Sequence, residues 1–190
     1  MIGNDIVDLE IAKHNSRWEG QRFLDKLFSA EEQYFIKADD NRFQNIWRLW
    51  SMKESAYKII SRGDDIVRFI PKSFECCITN STEGQVVFEN TFVSTLTETH
   101  SKFIYTNAHL NTEWTYEVFQ LQHSDAKSQH KETYQNAINF LANLTGVSQD
   151  TIEIRKDQFG VPHIYADGIL QEELLSITHH GHFGALAIAI

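Results

Sequence analysis

The stretch Trp50-Ser51-Met52-Lys53-Glu54-Ser55-Ala56-Tyr57-Lys58 crowds two lysines and a glutamate between aromatic residues where the chain has helical periodicity. Asp5 lies in an apolar, strand-like segment at the other end of the first third. Two carboxylates from different elements can converge on a hard cation such as Mg²⁺, which takes oxygen ligands and keeps several waters. Asp8, three residues on, falls on the opposite face unless the strand has ended, so it ranks behind Asp5 as a metal ligand. Spacing alone favours a plainer arrangement, with Asp5 as a turn or cap residue and Glu54 paired with Lys58 one helical turn away in solvent. Lys53 is about 100° around a helix from Glu54, so the two flank a site rather than share a narrow face. Trp50, Lys53, Glu54 and Tyr57 occupy one broad arc, which also describes an ordinary amphipathic helix with surface charge pairs.

His179, His180 and His182 place three imidazoles within four positions. A transition-metal site there is disfavoured, because neighbours on a strand point to opposite sides and no cysteine is near; a strand end also suits one phosphate-binding histidine. Cys76 and Cys77 are adjacent, which makes a poor disulfide, and they read as buried, inert thiols. The chain has no glycine-rich phosphate loop, no G-x-S-x-G elbow and no HExxH.

The elements that must position these residues follow from pattern. Ile2 to Leu9 suits a strand, and Arg17 to Leu27 has helical spacing. Ser29-Ala30-Glu31-Glu32 is a capping box that opens a helix to about Lys37. Asp39, Asp40 and Asn41 offer caps for a longer helix to about Arg62, with Gly63 as its stop. From Ile66 to Gln122 the runs FECCIT, QVVFEN, SKFIYTN and WTYEVFQLQ predict an antiparallel meander. The polar segment from His123 to Gln129 is the expected boundary. A helix from Lys131 to Leu144, stopped by Gly146, follows, then two strands, TIEIRK and SITHHGHFGALAIAI, joined through a turn at Asp157 to Pro162.

Composition narrows the class. The 190 residues are 42% hydrophobic, enough for one sizeable domain or two small halves. Net charge is −9, yet residues 1–62 balance 10 Lys/Arg against 10 Asp/Glu, so the deficit lies entirely beyond them. An acidic whole argues against general nucleic-acid binding, which draws affinity from phosphate neutralisation. The acidic start MIGNDIVDLE is unlike a signal peptide, no apolar run spans a bilayer, and two cysteines suit a reducing compartment, so a cytoplasmic location without membrane attachment is expected.

Taken together, Gly3-Asn4-Asp5-Ile6, Phe28-Ser29-Ala30-Glu31-Glu32-Gln33-Tyr34, WSMKESAYK and Ser176-Ile177-Thr178-His179-His180-Gly181 resemble the 4′-phosphopantetheinyl transferase superfamily. In the surfactin-type members two similar halves occur in one chain; here their order looks exchanged, with residues 1–122 resembling the second half and 123–190 the first. That order is also similar to the shorter, trimeric holo-acyl-carrier-protein synthases. The resemblance implies an α+β fold of two similar halves, each a small antiparallel sheet packed with helices, in a monomer whose site lies between the halves. It implies Mg²⁺-dependent transfer of the phosphopantetheine of coenzyme A to a carrier-protein serine, releasing 3′,5′-ADP, in fatty acid, polyketide or related biosynthesis. On the matching positions, Asp5 and Glu54 would hold Mg²⁺, with Asp8 as a lesser candidate, and Lys53 and Lys58 would meet phosphate. Glu54, Lys58 and Asp5 would form the catalytic set. Thr178, His179 and Lys131 would bind coenzyme A, with Arg42 and Arg48 toward its 3′-phosphate or the carrier. Val161 stands where the family's G-K-P lysine is usual, leaving Lys156 to supply that contact, and Val7 stands where surfactin-type members have a third acid. Lys13, Arg17, Arg22 and Lys26 would receive an acidic carrier protein. Two other readings predict different behaviour: a non-catalytic carrier-binding module, which would lack the acid pair, and a metal-dependent phosphohydrolase, which would need no carrier.

Overall fold

The computed structural model describes residues 1–38, 40–62 and 68–190. The expected cap at Asp39, the helix stop at Gly63 and the start of the β-rich region at Ile66 lie outside the described residues. The protein is α+β. Strand β1 (Ile2–Asp8) leads into helices α1 (Leu9–Asn15), α2 (Gln21–Leu27), α3 (Ala30–Ala38) and α4 (Arg42–Ile60). Strands β2 (Glu75–Ile78), β3 (Glu83–Phe88), β4 (Thr91–Thr99), β5 (Phe103–His109) and β6 (Trp114–Gln120) follow, then helix α5 (Ala126–Thr145). The chain ends with β7 (Ile152–Lys156), β8 (Pro162–Ala166), β9 (Ile169–Leu170), β10 (Leu175–His180) and β11 (Phe183–Ala189). Among the described residues no helix is long and apolar enough to cross a membrane.

An antiparallel five-stranded sheet runs β1-β5-β4-β3-β2, and two three-stranded sheets run β10-β11-β6 and β7-β8-β9. The sequence β6, α5, β7, β8, β10, β11 therefore repeats β1, α4, β2, β3, β4, β5, because β6-β11-β10 has the pairing of β1-β5-β4. The repeat begins at Trp114, not after residue 122: WTYEVFQLQ, read from sequence as the last strand of the first meander, pairs with β11 of the second half. Alternation alone cannot tell which neighbour a strand will choose.

Each half has its own core. Ile36, Ile46, Leu49, Met52, Ala56 and Ile59 cover the first sheet, and Ala137, Leu141, Ile164, Leu186 and Ile188 fill the second. The halves meet edge to edge along β1 and β10 through side chains rather than a strand ladder. Ser176 Oγ accepts the Asn4 backbone N–H at 3.1 Å and donates to Asn4 Oδ1 at 2.8 Å. Tyr105 completes this buried seam by donating to Asn107 Oδ1 at 2.8 Å, and the apolar burial around it raises its phenol well above the usual range.

Several local expectations hold. In the capping box Ser29 Oγ accepts the Glu32 N–H at 3.2 Å, and Glu32 Oε2 accepts the Ser29 N–H at 2.8 Å. Gly146 ends α5 with φ of +72°, a conformation that strains other residues. The first strand stops at Asp8, whose carboxylate accepts the Glu10 and Ile11 N–H groups and opens α1. Helix α5 starts at Ala126, in the polar segment read as a boundary, because Asp125 accepts the Ser128 N–H at 2.9 Å. The long terminal strand is a hairpin, turning at Gly181 and His182.

Candidate functional site

Three elements converge at one end of the seam between the halves. Gly3 lets β1 lie directly on α4: a Cβ there would fall 2.1 Å from the Ser55 carbonyl oxygen. That approach sets Asp5 beside the α4 face bearing Glu54 and Lys58, and Arg62 follows in the turn just past the helix end. Lys58 Nζ ties the two halves together, donating to Asn4 O on β1 and to Ile177 O on β10, the latter at 3.4 Å. Thr178 Oγ1 donates to Asp5 Oδ1 at 3.4 Å.

Electrostatics mark this cluster off from a surface pair. Burial raises the Asp5 carboxyl, opposed chiefly by Lys58, and burial plus the Asp5 charge lifts Glu54 to about 7. Burial lowers Lys58, while Asp5 and Glu54 hold it up. Asp5 Oδ2 is buried with no hydrogen-bond partner among the described residues. A buried, unpaired carboxylate oxygen beside a second carboxylate with a raised pKa is a place that a cation would neutralise. The set fits Mg²⁺: two hard oxygen donors, with remaining positions left to water and phosphate. Among the described residues no group of three or more His, Cys, Asp or Glu side chains is arranged to hold a metal, so a closed all-protein cage is absent. Counted from the two hairpin turns, Glu117 takes the place of Asp5 in the second half, where it is exposed rather than buried.

Beside the acids a cleft of about 400 Å³ is lined by Lys58, Arg62, His130, Tyr134, Lys156 and His179, with Thr178 and the Phe159–Pro162 turn at its edges. Three fixed cations, Lys58, Arg62 and Lys156, thus face one concavity in a chain of net charge −9. Arg62 is anchored by donating to the Leu175 carbonyl. His179 is lowered by burial, then by His130, Lys58 and Lys156, so it stands as a neutral imidazole able to donate one N–H. The Tyr134 hydroxyl is buried without a partner among the described residues. This is a cleft lined by basic side chains and adjoining a two-carboxylate edge.

The structure gathers Asp5, Glu54, Lys58, Thr178 and His179 and sends the other expected residues elsewhere. Lys53 is fully buried away from the cleft, its ammonium bonded to Glu32 at 2.7 and 2.9 Å and to the carbonyls of Pro71 and Phe74. The 100° offset from Glu54 turns it into the core. Asp8 is spent on α1 and on the His182 N–H, which its Oδ2 accepts at 2.8 Å. Arg48 donates to the Asn80 and Glu83 carbonyls at 2.7 and 3.2 Å. Arg42 lies twelve residues before Glu54, about 18 Å along the helix, and reaches the Glu19 carbonyl. Lys131 is exposed on α5; His130 and Tyr134 face the cleft instead. Lys13, Arg17, Arg22 and Lys26 are exposed on and between α1 and α2. Arg62 and the His130/Tyr134 pair were not singled out in sequence, although the i+4 step from Lys58 pointed to the first.

The model of the 4′-phosphopantetheinyl transferase superfamily matches residues 1–131, well over half of the chain. The chain belongs to this superfamily. Superfamily membership makes it a transferase, and the match takes in Asp5, Glu54 and Lys58 while stopping short of the Thr178 strand. Among solved structures it is similar to the holo-[acyl-carrier-protein] synthase of Thermotoga maritima, at 11% identity and a TM-score of 0.45, over 89% of this chain and 83% of that one. No curated protein matches the sequence.

Proposed function

We propose that this protein moves the 4′-phosphopantetheine arm of coenzyme A onto a serine of an apo carrier protein, with release of 3′,5′-ADP. The observation that carries the reading is the juxtaposition of Asp5, whose Oδ2 has no partner among the described residues, and Glu54 with a cleft bearing Lys58, Arg62 and Lys156. Asp5 and Glu54 are the residues that would hold Mg²⁺, which when bound supplies positive charge to the pyrophosphate. The serine oxygen attacks the β-phosphorus; its bond to the bridging oxygen breaks, and that oxygen leaves on 3′,5′-ADP. Lys58, held between the halves, meets the pyrophosphate charge. Glu54, raised to about 7 when no divalent cation is bound, is also the carboxylate placed to take the serine proton. Arg62, Lys156 and His179 bind and orient the nucleotide side of coenzyme A, with Lys156 supplying the contact that Val161 does not. Both sides of the site come from one chain, so we assign a monomer. Chromatographic detection of 3′,5′-ADP tests the function: release should require coenzyme A and apo carrier protein together. Release from coenzyme A alone would replace the transferase with a phosphohydrolase.

A further inference from the structure

Strand β10 passes the acids with Thr178 and His180 on one face and His179 on the other. Thr178 touches Asp5, and His180 stands one pleat further, level with Asp8. The Asp8 backbone N–H donates to His180 Nδ1 at 2.9 Å. A ring nitrogen that accepts an N–H carries no proton, so the imidazole is neutral and its single proton resides on Nε2. Neighbours hold this arrangement: Asp8 Oδ2 accepts the His182 N–H, and Gly181 packs so close that a Cβ would fall 2.4 Å from Asp8 Oδ2. His180 is half-buried, and its Nε2 has no hydrogen-bond partner among the described residues.

Its place in the fold gives this free donor a use. On one side lies the cationic cleft, whose lining along β10 ends at His179. On the other is a groove of about 760 Å³ lined by Asp8, Lys13, Trp18, Lys102, His182 and Phe183. His180 itself lines neither, and along the chain it stands between His179 of the cleft and His182 of the groove. A residue whose one proton already sits on the free nitrogen cannot serve as a base there; it can only donate. We propose that His180 is a contact for the protein substrate: Nε2–H donates to a carbonyl or carboxylate oxygen beside the serine as that segment extends from the groove toward Asp5. This inference rests on the transferase reading above. The groove carries Lys13 and Lys102 beside Asp8 and Glu10, and the polypeptide it receives is the serine-bearing carrier protein of the proposed reaction.

Steady-state transfer from coenzyme A to an apo acyl carrier protein tests it with His180→Leu and His180→Gln. Glutamine preserves both functions, its carbonyl accepting the Asp8 N–H and its amide donating outward, whereas leucine removes both. Leucine should raise KM for the carrier about tenfold and leave KM for coenzyme A unchanged, and glutamine should stay within about twofold of wild type. If the leucine variant does not fold, His180→Met makes the same comparison without adding charge, since its thioether is a weak acceptor for the Asp8 N–H and donates nothing. Equal losses in the donor-keeping and donor-lacking variants, a loss confined to coenzyme A, or no loss would overturn the assignment. Wild-type protein that transfers nothing refutes the transferase reading and this contact with it; active wild type with an unaltered leucine variant refutes the contact alone.

Discussion

Replacing Lys53 separates a structural lysine from a phosphate-binding one. Its ammonium and the Glu32 carboxylate are 0% and 3% exposed, and together they gather the Ser29 and Cys76 N–H groups and two carbonyls beyond α4. Lys53→Met retains most of the apolar stem but leaves Glu32 charged, buried and short of its counter-ion. Breaking one side of such a pair costs about 3–5 kcal/mol. For a chain of this size each kcal/mol lowers Tm by about 2–4 °C, so a fall of about 6–20 °C is expected. Adding Glu32→Gln removes the stranded charge while its amide oxygen can still accept an N–H, and the double variant should recover at least half of the loss. Urea unfolding of wild type, both single variants and the double variant closes the cycle. Calorimetric titration with coenzyme A then separates the roles, because the double variant should bind within about threefold of wild type. A Lys53→Met protein of wild-type stability that binds coenzyme A tenfold more weakly would refute the core assignment and return Lys53 to the cleft.

Other residues give sharper or opposite outcomes. Arg62→Ala should weaken coenzyme A binding by about tenfold to a hundredfold in the same titration, through loss of a charged contact, whereas Lys131→Ala should leave it unchanged. Gly3→Ala forces a side chain against the Ser55 carbonyl and should destabilise the fold by several kcal/mol in a urea melt, on the order of other overpacked sites. Glu54 is raised from 4.5 to about 7, so without divalent cation the folded protein binds an extra proton between those values, and stability falls as pH rises through that window. Glu54→Gln should flatten this slope to the part that the raised Asp5 contributes and be the more stable protein at pH 8 by about 3 kcal/mol, while matching wild type near pH 4; equal stability of the two at pH 8 would contradict the buried acid pair.

Local chemistry was the legible part of this sequence. The capping box at Ser29, the stop at Gly146 and the long helix carrying WSMKESAYK follow from short-range hydrogen bonding and periodicity, and the structure contains each. The strand Thr91–Thr99 and the strand Pro162–Ala166 were missed, the first between two stronger β-rich runs and the second hidden behind a turn. Partner choice was beyond reach, as β6 illustrates: its alternation fits either sheet, and only long-range pairing with β11 assigns it to the second half. Within the candidate site, sequence selected the right helix but not every face of it. Lys53 and Lys58 look alike as letters; their angle to Glu54 sends one into the core and the other to the seam. The same one-residue rotation puts His130 in the cleft and Lys131 in solvent. Asp8 was drawn off by backbone donors at the start of α1, a competition that composition cannot weigh.

Intact-mass spectrometry of apo carrier proteins incubated with coenzyme A, Mg²⁺ and this protein tests the central claim most directly. The account predicts that at least one carrier gains the mass of a single phosphopantetheine group on its serine, and that the gain vanishes with Asp5→Ala or Glu54→Ala. A broad panel of carriers left unmodified by the wild-type protein, or full modification by both variants, would contradict it.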